Sequence, residues 1–211
     1  MGILAAVISI SMVGAGIIGL FFADDPVVMD PVAIALAEYE NQKERLEAMA
    51  GQSEIDPDNL PLLRALAGSY YEAGTAASRL WGTLPSAIDE MYEHFTKATE
   101  TYQKVLVIEQ DADDMLNLAA AATMSGNYDL AEQTYQDILA RDPDSFFARV
   151  GYGSFLYNSR QDYAGAIEQM QQALELARDD TDKEGIQEFI DWMLSEMESE
   201  ETSATPAQGA E

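Results

Sequence analysis

The sequence predicts an all-α protein, a stack of helix pairs carried behind one apolar N-terminal span. Three observations predict it. Apolar residues recur at helical spacing from Asp30 to about Glu198, with almost no strand-like alternation. Helix starts and stops punctuate that stretch, as at Asp30-Pro31, Ser125-Gly126-Asn127 and Asp142-Pro143. Ile3 to Phe22 carries no charged residue at all.

Composition narrows the functional classes. The chain of 211 residues is 47% apolar and carries 38 acidic against 11 basic residues, a formal charge of −27. A folded domain is therefore expected, and a surface of that sign repels phosphate backbones, so no nucleic acid partner is expected. The acids are spread along the chain and read as solubility or as adaptation to a salty medium. The functional alternative is a preference for basic partners or divalent cations. There is no cysteine, which excludes disulfides, thiolate metal sites and thiol catalysis. The single histidine, His94, lies in the polar stretch Tyr92 to Thr96 and reads as a surface residue.

Residues 1–23 read as a transmembrane anchor. At 1.5 Å per residue the apolar run spans about 30 Å, the hydrocarbon thickness of a bilayer. No Lys or Arg precedes Lys43, and Phe21-Phe22-Ala23 is a poor cleavage site, so the span is expected to be retained. Ser11, Ala15 and Gly19 share one helix stripe and are candidates for close self-association of the span. Asp24 and Asp25 follow at once, and the following domain is expected outside the cytoplasm.

Residues 24–56 read as a linker and an N-terminal helix. Asp30 is a cap and Pro31 occupies the first helical position, with the helix expected to run to about Ala50 and stop at Gly51. Residues 57–180 read as helix pairs. In the clearest unit, a first helix holds Met115, Leu118, Ala119 and Ala122. A turn at Ser125-Gly126-Asn127 leads to a second helix with Tyr128, Ala131, Tyr135, Ile138 and Leu139, which Asp142-Pro143 ends. The next unit has Tyr152, Gly153, Leu156 and Tyr157, then Tyr163, Ala166, Met170, Ala173 and Leu174, with one extra residue in its turn. An earlier copy has Leu63, Leu66-Ala67, Tyr70-Tyr71 and Gly74, the last expected at the turn. Its second helix is delayed and resumes at Ala98, Tyr102, Val105 and Leu106.

These residues resemble the tetratricopeptide repeat, a helix–turn–helix unit of about 34 residues. Leu118-Ala119, Ala122, Gly126, Tyr128, Ala131, Tyr135 and Pro143 match its pattern in register. Small residues in that pattern let the paired helices cross closely, and large ones fill the groove to the next pair.

The delayed copy carries an insertion at about 75–97. Ser86 is expected to cap a long second helix running from about Ala87 to Gln110, with Trp81 and Leu84 packed onto their own repeat or protruding to bind a neighbour. Residues 181–198 read as a capping helix, with Ile186, Phe189, Ile190, Met193, Leu194 and Met197 on one face. Residues 199–211 read as a disordered acidic tail.

No catalytic constellation is legible, and the chain is not expected to be an enzyme or to carry a cofactor. Asp180-Thr181-Asp182-Lys183-Glu184-Gly185 opens like a calcium-binding loop but lacks the long acidic residue that closes one. Asp111, Asp113 and Asp114 read as an acidic helix start. The resemblance implies a concave groove lined by the first helices of each pair, which takes peptides or helices of protein partners. Carried over by position, that groove includes Arg64, Tyr71, Asn117, Thr123, Tyr157 and Asn158. Function is thus expected to be that of a membrane-anchored adaptor. A self-assembling structural protein built from the same repeats is the alternative, and either would bind protein rather than small molecules.

Overall fold

The computed structural model describes residues 30–204, with side chains to Met197. Contacts divide the chain after Glu38, and the two units are taken separately. In the first, residues 31–38 begin helix α1 (Pro31–Ile55), and Asp30 Oδ1 accepts the Val32 N–H at 3.0 Å. Val32, Ile34 and Leu36 are exposed there. The apolar stretch Ile3 to Phe22, with Ser11, Ala15 and Gly19, lies outside the described residues. Among those described, no helix is long and apolar enough to cross a membrane.

Among the described residues from Tyr39 onward every regular element is a helix: the rest of α1, α2 (Leu60–Arg79), α3 (Ala87–Ile108), α4 (Ala112–Met124), α5 (Tyr128–Arg141), α6 (Phe146–Phe155), α7 (Tyr163–Leu176) and α8 (Asp180–Ala204). α2 packs on α3, α4 on α5 and α6 on α7, each pair antiparallel across a short connection, and α8 closes against α7. Successive pairs join through α3 with α4 and α5 with α6. The architecture is an all-α, tetratricopeptide-like stack of helix pairs.

The closest crossings fall where the sequence places its small residues. Ala119, Ala122, Ala131, Ala166 and Ala173 are fully buried around Tyr135, Phe155 and Met170. At Gly153 an added Cβ would meet Met170 Cε at 3.0 Å and the Ala166 carbonyl at 3.2 Å, so α6 lies almost directly on α7. A smaller cluster of Met115, Ile138 and Ala148 ties the second pair to the third. At the C-terminal end Ile186, Ile190 and Met193 extend this core onto α8.

Several boundaries differ from expectation for identifiable reasons. α1 continues through Gly51 to Ile55 and stops before Asp56-Pro57, because proline, not glycine, forbids the next helical turn. Gly74 is no turn: α2 runs through it to Arg79, and a Cβ there would come within 2.9 Å of the Phe95 ring. The apparent insertion is a taller hairpin, with α2 and α3 of 20 and 22 residues against 13 and 14 for α4 and α5. Its loop turns at Gly82, whose φ of 85° suits glycine. Leu80 is buried in that loop and Leu84 half-buried, but Trp81 is 74% exposed and does not pack on its own repeat. Ser86 makes no side-chain cap. Its hydroxyl instead donates to Glu90 Oε1 at 2.6 Å.

The extra residue in the third unit is absorbed by a π-helical turn, Leu156–Arg160, that ends at Gln161 with φ 57°. Widening one turn is the way a helix takes in a single additional residue. Asp162 then caps α7 through the Gly165 N–H at 2.9 Å. α8 begins one residue before Thr181, with Asp179 accepting the Asp182 N–H at 2.9 Å, and continues past Glu198 to Ala204. The expected tail beyond Ala204 lies outside the described residues.

Candidate protein-interaction face

The first helices α2, α4 and α6 carry the residues assigned to a groove. α4 and α6 are in direct contact, which puts their outward faces side by side. Asn117 on α4 and Asn158 in the π-helical turn after α6 are exposed, and Asn158 Nδ2 donates to the Ser154 carbonyl at 2.8 Å. Thr123 is half-buried, with its hydroxyl donating to the Ala119 carbonyl at 2.8 Å. Tyr71 is half-buried and meets Phe95 edge-on at 5.2 Å, and burial raises its hydroxyl pKa.

Two tyrosines that periodicity assigns only to the interior reach this face from behind. Tyr102 on α3 brings its hydroxyl to 3.8 Å from the position of a Cβ at Gly68 on α2. Tyr135 on α5 lies so close to Gly151 on α6 that a Cβ there would come within 2.8 Å of its ring, and its hydroxyl lies beside Thr123. Burial pushes both hydroxyls up to about 12, helped at Tyr102 by the negative charge of Asp114. They therefore remain neutral hydrogen-bonding groups at any physiological pH. The signal for them lay in pairing each tyrosine with a glycine on a neighbouring first helix, which no single-helix pattern reveals.

Two of the assigned residues are engaged within the stack. Arg64 Nε donates to Asp114 Oδ2 at 2.7 Å, and its Nη2 lies 3.3 Å from Glu109 Oε2. Asp114 is only 5% exposed, so this contact pins the first pair to the second. Asp111 caps the same helix by accepting the Asp113 and Asp114 N–H groups, as its acidic start implies. Tyr157 sits in an aromatic cluster with Tyr163, Phe189 and Trp192, at centroid distances of 5.4, 5.6 and 5.0 Å. Other cations are spent likewise: Arg160 holds Asp129 and Glu132 at 2.6 and 2.7 Å and lies over the Phe155 ring.

A second polar cluster is one that the sequence did not suggest. His94 is not a surface residue. It is 7% exposed, stacked on Tyr70 at 6.2 Å and edge-on to Tyr39 at 5.9 Å. Tyr39, 1% exposed, has its hydroxyl 2.7 Å from Glu90 Oε2 and 2.9 Å from His94 Nε2. Lys43 reaches the same Glu90 oxygen at 3.2 Å. Burial alone would raise the Glu90 carboxyl, but hydrogen bonds from Ser86, Tyr39 and Lys43 outweigh it and hold the group at about 2.

No protein-family model matches the chain, and no curated protein matches it. Solved structures do share its fold. A double mutant of MamA from strain RS-1 superposes with a TM-score of 0.51 at 18% identity, over 83% of this chain and 89% of that one. MamA from Desulfovibrio magneticus RS-1, from residue 41 to its end, gives 0.51 at 17% identity over 83% and 90%. YrrB, described as a TPR protein with an unusual peptide-binding site, gives only 0.42 at 14% identity over 72% and 87%, too loose to rest anything on. At these identities the chain is similar to MamA in fold, and the likeness extends to nothing beyond the fold.

Proposed function

We propose that this chain is a membrane-anchored scaffold that holds a protein partner against the first-helix face of its stack. The observation that carries the reading is the direct contact of α4 with α6, beside which Asn117 on α4 and Asn158 in the turn after α6 stay exposed as hydrogen-bonding groups. Behind this face lie Tyr102, against Gly68 of α2, and Tyr135, against Gly151 of α6, both with neutral hydroxyls. Such a surface can take an extended peptide or a helix through polar side chains and a firm backing. Tyr71 packs edge-on against Phe95, Thr123 lies beside Tyr135, and Arg64 supports the edge of the face through Asp114. Anchoring rests on the apolar run Ile3 to Phe22, and the acidic residues after it favour a repeat domain outside the cytoplasm. On this reading the protein is a binding module and not an enzyme.

One feature favours self-assembly as the second reading. Trp81, Ile88 and Tyr92, all exposed, border an apolar cleft of about 270 Å³ beside the tall hairpin. The test is a pull-down with the full chain in detergent, run beside light scattering of the chain alone. A stoichiometric foreign protein that Asn117→Arg abolishes supports the scaffold. Retention of that protein by the variant moves the site elsewhere. A chain mass that rises with concentration and falls with Trp81→Ser, without any foreign protein, replaces the scaffold by a self-assembling protein.

A further inference from the structure

We propose that His94 is an acid-operated latch: neutral, it holds Tyr39 and keeps the segment Tyr39–Ile55 of α1 on the first helix pair, and protonated it releases that segment. The geometry sets the tautomer. Glu90 is an ionised acceptor, so the Tyr39 hydroxyl at 2.7 Å donates to it. The Tyr39 oxygen must then accept from His94 Nε2–H at 2.9 Å. The ring proton is therefore on Nε2, and Nδ1 is a bare acceptor. That nitrogen is buried and has no hydrogen-bond partner among the described residues. Protonation can occur only there, and it would create a charged N–H with nothing to donate to, enclosed by Tyr39 and Tyr70. A buried charge without its hydrogen bond is among the costliest groups a fold can hold.

The groups that face the imidazole come from three helices. On α3 they are Glu90, Glu93 and Lys97, on α1 Tyr39 and Lys43, and on α2 Tyr70. Burial lowers the His94 pKa, and Lys97 and Lys43 lower it further, against the raising influence of Glu93 and Glu90. Its neighbours all titrate elsewhere. Glu90 sits at about 2 and Glu93 below its usual value, while Lys43, Lys97, Tyr39 and Tyr70 are all raised. Between pH 5 and 7.5 His94 is thus the single group in the cluster that changes charge.

The sign follows from linkage. The docked pKa is depressed below the usual 6.5, so docking is at full strength above 6.5 and weakens as pH falls toward the docked value. The segment it holds is lightly fastened. Only Tyr39 and Leu46 of α1 are buried, and a cleft of about 610 Å³ with Glu47, Ala50 and Glu54 on one wall and Glu93 and Lys97 on the other lies between α1 and the pair. Loss of one polar clasp is therefore enough to open it.

The chain lacks cysteine, so two exposed positions, Asn41→Cys on α1 and Thr96→Cys on α3, can carry nitroxide labels in the full chain in detergent. Their separation, read by pulsed electron resonance from pH 7.5 to 5, is expected to shift from one short distance to a broad long one. The docked-to-released ratio should fall by up to about tenfold per pH unit. The midpoint should coincide with that of the His94 ring resonances, while far-UV circular dichroism stays constant. His94→Gln, which can still donate to Tyr39, should remain docked throughout. An unchanged separation down to pH 5, a midpoint apart from that of the ring, or the same transition in His94→Gln overturns the latch.

Discussion

The two ends of the helix stack are closed by opposite means. At the C-terminal end α8 lays Ile186, Ile190 and Met193 on the core of the last pair, and Met193 is fully buried. At the N-terminal end the segment from Tyr39 buries only Tyr39 and Leu46, and its remaining hold is the cluster of Glu90, His94 and Lys43. Apolar burial is non-directional and indifferent to pH, so the C-terminal end should behave as part of one cooperative unit. A polar clasp depends on geometry and on protonation, so the N-terminal end can open by itself. One protein therefore carries a permanent cap and a conditional one.

Truncations at the two ends give the sharpest contrast. Met193→Ala should lower global stability by about 2–5 kcal/mol, read from the denaturant midpoint, because a cavity opens in the shared core. Leu46→Ala removes comparable apolar volume, yet it should lower the global midpoint by less than about 1 kcal/mol while abolishing amide-exchange protection in Tyr39–Ile55. Equal global losses from the two would show that α1 belongs to the cooperative core and would break the comparison. Tyr39→Phe keeps the ring but leaves Glu90 and His94 without their shared partner. A loss of about 1 kcal/mol, confined to exchange in α1, is expected.

Acid adds a further distinction. Because the folded Glu90 pKa is depressed to about 2, its contribution is complete above the ordinary value of 4.5 and is lost as pH falls toward 2. In a His94→Gln background, amide exchange in α1 should therefore stay slow at pH 5 and quicken only below 4.5, while exchange in α8 should not respond to either group. The smallest effect belongs to Asp129→Asn, since Asp129 is almost fully exposed and Arg160 keeps Glu132. No change in the thermal midpoint beyond measurement error is expected.

Much of the stack was legible in the residues. The second unit follows its register from Met115 to Pro143, and its turn, its cap at Asp111 and its small-residue crossings fall where the pattern puts them. The third unit announced its extra residue but not the π-helical turn that absorbs it. Gly51 and Gly74 were misleading because glycine is ambiguous along the chain. Gly74 serves a close approach to Phe95, a residue far away in sequence. Of the residues assigned to a groove, Asn117 and Asn158 are exposed, whereas Tyr157 packs with the cap and Arg64 is paired with Asp114.

Sequence alone determined what depends on neighbours within a few turns: the helical period, the caps, the proline stops and the repeat register. These follow from local backbone preferences and from which side of a helix is apolar. Tertiary structure alone decided which polar residues are buried together. The Tyr39–His94 and Arg64–Asp114 contacts join positions 55 and 50 residues apart. A polar residue in a polar stretch looks solvated until a distant helix covers it, and only the packed stack shows that α1 covers His94.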